Sequence, residues 1–553
     1  MIISFAIDAV VLMTFAAFAG MRLLTYMHVL QQEDYYNGRL FSWILKHRAF
    51  DKRVTIALIG LLFILAGLHI GGIRDLLPGF FIDFLIFITF VIGTYLEKDP
   101  RKDSKKKLVA TSRAKRIVLP TFIVAVLLAI PHFFISVPIL WILNVQALPF
   151  LLIIVNILLQ PFEDAVQMKY WKEAHNKVLD YQPKVIGITG SYGKTSIKHI
   201  LGHILKTQAP TLITPGSVNT PMGITRVIRE QLEPNHQYLI VEMGAYGPGS
   251  IGRLCKLTPP DLGIISSIGH AHYERFKSLD NVAQTKFELA EAVIRKNPEE
   301  GRVIVHEKTL RFANVQKLKV NNDNNFIVAG ESPDVNKLSK DKSYIAYGDL
   351  QLHKVVQTEK GLSITFEYQG KVYSPDIPIF GIHHAHNIIL VFALAVELGI
   401  DTDDIQDALA SLPQIQHRLE VKPQADGTIL IDDAYNSNPV GFQSALGLLA
   451  HLGKQSRKIL ITPGMVELGN AHNDAHRKIG VSAAEICDIC LVIKPERIPT
   501  FVGSFRSTSM TGTLHEFESF KDAQNWFIAN KQEGDVVLIE NDLPDMYEKI
   551  PKM

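Results

Sequence analysis

Within the first 160 residues of this 553-residue chain, five segments are each apolar over about 18–20 residues, the length of a helix that crosses a bilayer core. They lie near 2–20, 54–72, 77–95, 117–136 and 138–160. Five in succession, joined by basic connectors, argue against buried globular helices and for an all-α membrane region over 1–160. A cleaved signal peptide is not expected, because Met1–Ala19 lacks a basic start and four more apolar segments follow. The overall hydrophobic fraction of 47% is concentrated here, and 553 residues are too many for one core.

The connectors give an orientation. Residues 21–53 carry Arg22, Arg39, Lys46, Arg48, Lys52 and Arg53, and residues 97–116 carry a denser run from Lys98 to Arg116. The connections at 73–76 and 137 are nearly uncharged. The positive-inside bias puts both basic stretches on the cytoplasmic side, the N-terminus outside and everything after about residue 160 in the cytoplasm. A formal charge of only +2 does not suggest nucleic acid; topology and anionic lipid account for the basic loops. Cys255, Cys487 and Cys490 fit a reducing compartment. The Cys487-Asp-Ile-Cys490 pair has no second pair to complete a zinc site, so it is given no role.

After a polar and aromatic stretch with helical spacing, read as a connector over 161–182 lying along the membrane surface, the pattern changes. Candidate strands at Val185–Thr189, Thr211–Thr214, Tyr238–Glu242, Leu262–Ser266 and Arg302–His306 alternate with helical stretches, which indicates a parallel α/β sheet. Residues 320–380 read as a small β-rich insertion with turns such as Tyr368-Gln-Gly370. A second, Rossmann-like α/β unit starts near 417, with strands at Thr428–Ile431, Lys458–Thr462, Ile489–Ile493 and Val536–Ile539. The expected domains are 183–415 and 416–553.

Val185-Ile-Gly-Ile-Thr-Gly190-Ser-Tyr-Gly193-Lys194-Thr195-Ser196 runs an apolar strand into a glycine turn and opens a helix with Lys-Thr. Turn N–H groups, the positive helix end and an ammonium together cradle a polyphosphate, and the Thr195 hydroxyl is placed for Mg²⁺. The chain is therefore expected to bind ATP, although Ile188 departs from the usual phosphate-loop glycine spacing. Doubly wound sheets gather ligands at strand C-termini. Glu242 ends one such strand, His270 and His272 follow another, and Lys286 lies on the next helix.

The order of these residues resembles the Mur ligase family, the ATP-dependent amide-forming enzymes of peptidoglycan synthesis, and most closely its MurF branch, which adds D-alanyl-D-alanine. The resemblance runs from about 183 to the C-terminus. It is carried by Gly187–Ser196, Gly216-Ser-Val-Asn219, Glu242-Met-Gly-Ala, Gly269-His-Ala-His272, Lys286-Phe-Glu288, Gly381-Ile-His383-His-Ala-His-Asn387 and His417-Arg418-Leu-Glu. Most branch-specific are Asp432-Asp433-Ala-Tyr435-Asn436-Ser-Asn438-Pro439 and Gly464-Met-Val-Glu467-Leu-Gly469.

The resemblance implies that Gly190, Ser191, Gly193, Lys194, Thr195 and Ser196 hold the phosphates. Thr195 and Glu242 would bind one Mg²⁺ and His272 a second. Lys194, Lys286 and His272 form the implied catalytic set, with Lys286 carbamoylated. Asn387 is implied to contact adenine, and Arg418 and Asp433 to contact γ-phosphate and ribose. Asn219, Tyr435, Asn436, Asn438 and Glu467 are implied for the other substrates. The reaction implied is phosphorylation of a carboxylate, then attack on the acyl phosphate by an amine such as D-Ala-D-Ala.

Three departures qualify it. His384 replaces the first Asn of the family's His-Asn-x-x-Asn, which also allows His383, His384 and His386 to be read as a metal cluster. Glu540-Asn-Asp-Leu543 replaces Lys-Gly-Ser-Arg. Membrane helices stand where the family binds a UDP-sugar peptide, so the precursor is either UDP-linked or lipid-linked. Two other readings are a Mur-type ligase acting on another carboxylate, such as a polyglutamate, and an ATP-driven transporter. The latter is disfavoured by a lack of charged residues within the crossings.

Overall fold

The computed structural model describes residues 2–70, 80–102, 104, 107–133, 137–269, 276–331, 349–435, 437–466 and 468–541. His272, Asn436 and Glu467 lie outside the described residues. Contacts divide the chain into one compact unit over Met1–Gln167 and another over Met168–Asp542.

The first unit is helical: α1 (Ile2–Gln32), α2 (Asn37–Lys46), α3 (Arg53–Ile70), α4 (Phe80–Leu96), α5 (Ser112–Ala129) and the greater part of α6 (Pro138–Tyr181), whose residues from Met168 belong to the second. By length and composition, four of these helices are long and apolar enough to cross a membrane; α4, with 17 residues, is a shorter apolar helix. Helix α2 is different, burying Leu40, Trp43 and Ile44 on one side. Helix α6 passes through Pro149 and Pro161 without ending. The segment expected as a separate connector after residue 160 is thus the continuation of the fifth apolar helix.

Phe15, Phe90 and Trp141 pack with ring centroids 5.1–5.4 Å apart, which joins α1, α4 and α6. Arg22 on α1 is buried and ion-pairs with Asp51 at 2.5 Å and Glu97 at 2.6 Å, tying α1 to the residues that precede α3 and follow α4. Asp8 and Asp83 lie within α1 and α4, so the apolar helices are not free of charge as expected.

The second unit holds two sheets. In the larger, β1 (Lys184–Thr189), β2 (Thr211–Ile213), β3 (Tyr238–Glu242), β4 (Leu262–Ile265), β5 (Arg302–His306), β6 (Phe326–Glu331) and β7 (Leu350–Thr358) run parallel. Antiparallel β8 (Gly361–Tyr368), β9 (Lys371–Tyr373) and β10 (Asp376–Ile377) finish one edge, in the order β10-β8-β7-β6-β5-β4-β1-β3-β2 with β9 on β8. The β-rich stretch near 320–380 is therefore an extension of the central sheet, not an insertion beside it.

Period-two alternation sends Ile186 and Ile188 to one face and Val185 to the other. The first face packs under helix α7 (Lys194–Gln208) and the apolar helix His384–Glu397; the second meets the helix Leu279–Lys296. Gly187 belongs to this packing. A Cβ there would come within 2.6 Å of Leu289, so this glycine admits a helix rather than a phosphate.

The second sheet comprises β11 (Glu420–Pro423), β12 (Ile429–Asp433), β13 (Lys458–Thr462), β14 (Ile489–Ile493), β15 (Thr513–Phe517) and β16 (Val536–Glu540), ordered β11-β12-β16-β13-β14-β15. All pairs but β11–β12 are parallel. Both sheets thus present strand C-termini to ligands, the arrangement expected of doubly wound folds.

Phe392 is the side chain around which the edge strands gather, 4.8 Å from the Phe366 ring and 4.7 Å from that of Tyr373. It is fully buried. Phe392→Ala is expected to remove about 3–5 kcal/mol from this unit, seen as a lowered denaturation midpoint of the detergent-solubilised full chain. An unchanged midpoint would contradict this packing.

Candidate nucleotide site

The turn between β1 and α7 is built on two glycines whose backbone other residues rarely adopt. Gly190 has φ +152° and Gly193 φ +84°. A Cβ on Gly190 would collide with the Ser266 hydroxyl, and one on Gly193 would lie 2.5 Å from Asn387 Oδ1. The turn is thus pinned between the residues after β4 and the helix His384–Glu397. Ser191 N donates to Ser267 O at 2.8 Å, Tyr192 N to Ser267 Oγ at 3.0 Å, and Ser266 Oγ to Tyr192 O at 2.5 Å. A helix opening after such a turn favours anions through its N–H groups and dipole.

Lys194 curls back and donates to Gly190 O at 2.8 Å. Burial holds its pKa below the ordinary lysine value, with Glu242 opposing and the charges of Arg418 and Lys198 assisting. Glu242, buried at the end of β3, organises its surroundings. Its Oε2 accepts from Thr195 Oγ1 at 3.0 Å and from Lys198 Nζ at 2.9 Å, and its Oε1 from Asn219 Nδ2 at 3.1 Å. Burial pushes its pKa up, but Lys198 and Lys194 outweigh burial and leave it below the usual carboxylate range. Lys198 escaped the sequence reading. Its signal was its place four residues after Lys194, on the same face of α7.

The second sheet supplies the opposite wall. His417 and Leu419 adopt left-handed backbone, φ 55° and 50°, at a cost on the order of 1 kcal/mol each. Hydrogen bonds offset that cost: His417 N donates to Glu420 Oε2 at 3.1 Å and Leu419 N to Asp433 Oδ1 at 3.4 Å. The turn projects Arg418 over the Tyr435 ring at 4.6 Å. Tyr435 in turn hydrogen-bonds Ser217, which joins the two walls.

These walls enclose a cavity of about 650 Å³. Of the expected residues, Ser191, Gly193, Lys194, Thr195, Ser196, Asn219, Glu242, Asn387, Arg418, Asp433, Tyr435 and Asn438 line it. Gly190 shapes the turn from beneath. Lys286 is buried on the helix Leu279–Lys296, with no hydrogen bond or ion pair among the described residues. Burial, aided by Lys194, holds its amine well below the usual lysine range.

Among the described residues, His383, His384 and His386 do not converge as a metal cluster. His306 Nε2 meets His386 Nδ1 at 3.1 Å, and His384 Nδ1 meets Asn387 Nδ2 at 3.3 Å. Among the described residues, the group of potential ligands that converges is His417, Glu420 and Asp432. Lys422 already bridges Glu420 and Asp432 there, at 2.8 Å to each. The cysteines are buried, and burial raises their thiols, Cys255 to about 12, which disfavours the nucleophilic thiolate at all three.

Comparison with known proteins agrees with this architecture. Residues 188–395 match the Mur ligase middle domain, and residues 417–540 the Mur ligase, glutamate ligase domain. The UDP-N-acetylmuramoyl-tripeptide--D-alanyl-D-alanine ligase of Mycobacterium tuberculosis is 30% identical over 335 residues, 59% of each chain. That of Bacillus subtilis is 26% identical over 67% of this chain and 75% of its own. The chain thus spans less than two thirds of the mycobacterial relative. In fold it is similar to MurF of Thermotoga maritima, solved with ADP, at TM-score 0.56 and 24% identity, over 68% of this chain and 80% of that one. MurF of Acinetobacter baumannii gives TM-score 0.55 and 23% identity over 68% and 77%. From residue 188 to 540, therefore, the chain belongs to the Mur ligase family and carries the middle and C-terminal domains of its MurF-like members.

Proposed function

We propose that the protein is a membrane-anchored, ATP-dependent amide ligase of the MurF type. In this reading it joins D-alanyl-D-alanine, or a similar amine, to the carboxylate of a muramoyl-peptide precursor. The observation that carries the reading is the cavity itself. The phosphate-loop Lys194, the Thr195–Glu242 pair and Arg418, from both matched domains, converge on a space large enough for a nucleotide and a reacting carboxylate.

A carboxylate is a poor electrophile at neutral pH. Transfer of the γ-phosphoryl group to its oxygen makes that oxygen a leaving group; the amine then attacks the carbonyl carbon, the C–N bond forms, and phosphate departs. Lys194 and Arg418 neutralise charge as it moves onto the transferring group. The Thr195 hydroxyl and the Glu242 carboxylate are oxygen donors of the kind Mg²⁺ takes, so the residues present fit that ion. When bound, it would shield the phosphate oxygens. Lys286 fits carbamoylation: its neutral amine is the form that captures CO₂, and the carbamate would place a negative charge in its buried site.

Four helices apolar enough to cross a bilayer support placement at the cytoplasmic membrane, with the catalytic domains in the cytoplasm and an acceptor that is either UDP-linked or lipid-linked. Of the altered segment, Glu540 is buried and bonded to Ser437, while Asp542 and Leu543 lie outside the described residues.

Lys194→Ala is expected to lower ATP turnover at least about a hundredfold, measured as phosphate release by the solubilised chain given both substrates. Turnover tracking a solute instead of an amine and an acid would favour a transporter. Lys286→Ala is expected to be inactive and partly restored by added acetate or formate; full activity without additive would remove the carbamate role.

A further inference from the structure

Beneath the cavity, two carboxyl groups face each other, and among the described residues no cation is bonded to either. Asp433 ends β12 and Glu540 ends the neighbouring β16, and the two are paired directly in register. They are 6% and 0% exposed. Glu540 Oε1 accepts from Ser437 Oγ at 2.5 Å, and Asp433 Oδ1 accepts from Leu419 N at 3.4 Å. Among the described residues, no donor reaches the buried Glu540 Oε2. Two such carboxylates cannot both stay ionised at close range in a dry site, as paired acids elsewhere show. A single proton resolves the arrangement, since an un-ionised carboxyl supplies the donor that the orphaned oxygen lacks.

The surrounding charges do not replace that proton. Asp432, the neighbour on β12, is engaged by His417 and Lys422 at 2.8 Å each. The guanidinium of Arg418 acts on the pair from the preceding turn and stacks over Tyr435. Burial raises both carboxyls above the usual range. Asp433 then lifts Glu540 further, while Arg418 and the hydrogen bond between the two carboxyls pull Asp433 back down. The lysine expected at position 540 by family resemblance would have supplied a fixed cation here; this chain has a second acid.

We propose that Asp433 and Glu540 hold one proton between them, and that binding of a polyphosphate in the cavity is coupled to the protonation of this pair. The coupling rests on the nucleotide reading of the cavity, whose wall includes Asp433. An anion placed there disfavours negative charge on the pair, so the protonated pair binds it better. The sign follows: affinity falls as pH rises through the range where the pair loses its proton. The two groups titrate as a unit, so the proton is assigned to neither one.

The test uses the full chain in detergent, with ADP as the probe and calorimetric affinities across a pH series, for the wild type and Glu540→Gln. The glutamine keeps the volume, the acceptor for Ser437 and a fixed donor toward Asp433. The wild type is expected to lose ADP affinity up to about tenfold per pH unit more steeply than the variant over the pair's titration. Parallel profiles would overturn the coupling. Infrared difference spectra are expected to show an un-ionised carboxyl band at neutral pH in the wild type, absent from the variant; its absence from both would overturn the shared proton. If the wild type has no ADP affinity, the nucleotide reading falls and the coupling with it, while the infrared band still decides the proton.

Discussion

The buried carboxylate of Glu242 is the point on which the site is assembled. One residue at the end of β3 receives hydrogen bonds from Thr195 and Lys198 on the helix after the phosphate loop and from Asn219 on a third segment. Removing a partner from a buried charge costs about 3–5 kcal/mol. That cost holds three separate pieces of chain in one geometry before any nucleotide arrives. Arg418, fixed by its braced left-handed turn, completes the wall from the second sheet. Pre-organisation of this kind is what phosphoryl transfer needs, because its catalysis is mostly positioning and charge stabilisation.

Two carboxylates at strand ends meet opposite fates in the same unit. Glu242 is buried among ammonium groups and stays ionised, whereas Glu540 is buried beside Asp433 and is pushed toward its neutral form. The residue type is the same, and the partner decides the charge. The same rule separates Lys198, bonded to Glu242, from Lys286, which has no counter-charge among the described residues and is driven toward a neutral amine.

Much of this was legible in the chain. Short β-branched apolar runs located most of the parallel strands, because a strand buried on both faces has little freedom in composition. The glycine turn before Lys194 announced its own conformation. What could not be read was contact between distant segments. The edge strands β7 to β10 looked like a separate insertion because hydrophobic alternation does not say which sheet a strand joins. Glu540 read only as a reversal of charge against the family pattern; the β12–β16 register reveals that it lies against Asp433. The polar end of α6 read as a linker because composition changed there while the helix did not.

The account depends on ATP being spent to activate a carboxylate for condensation. The most direct test supplies the full chain with ATP, D-alanyl-D-alanine and a muramoyl peptide, UDP-linked or lipid-linked, whose acceptor carboxylate carries an oxygen isotope. Phosphate and peptide products are then weighed by mass spectrometry. The account predicts one labelled oxygen in the released phosphate for each new amide. Amide formed without transfer of label, or ATP consumed with no amide, would contradict it.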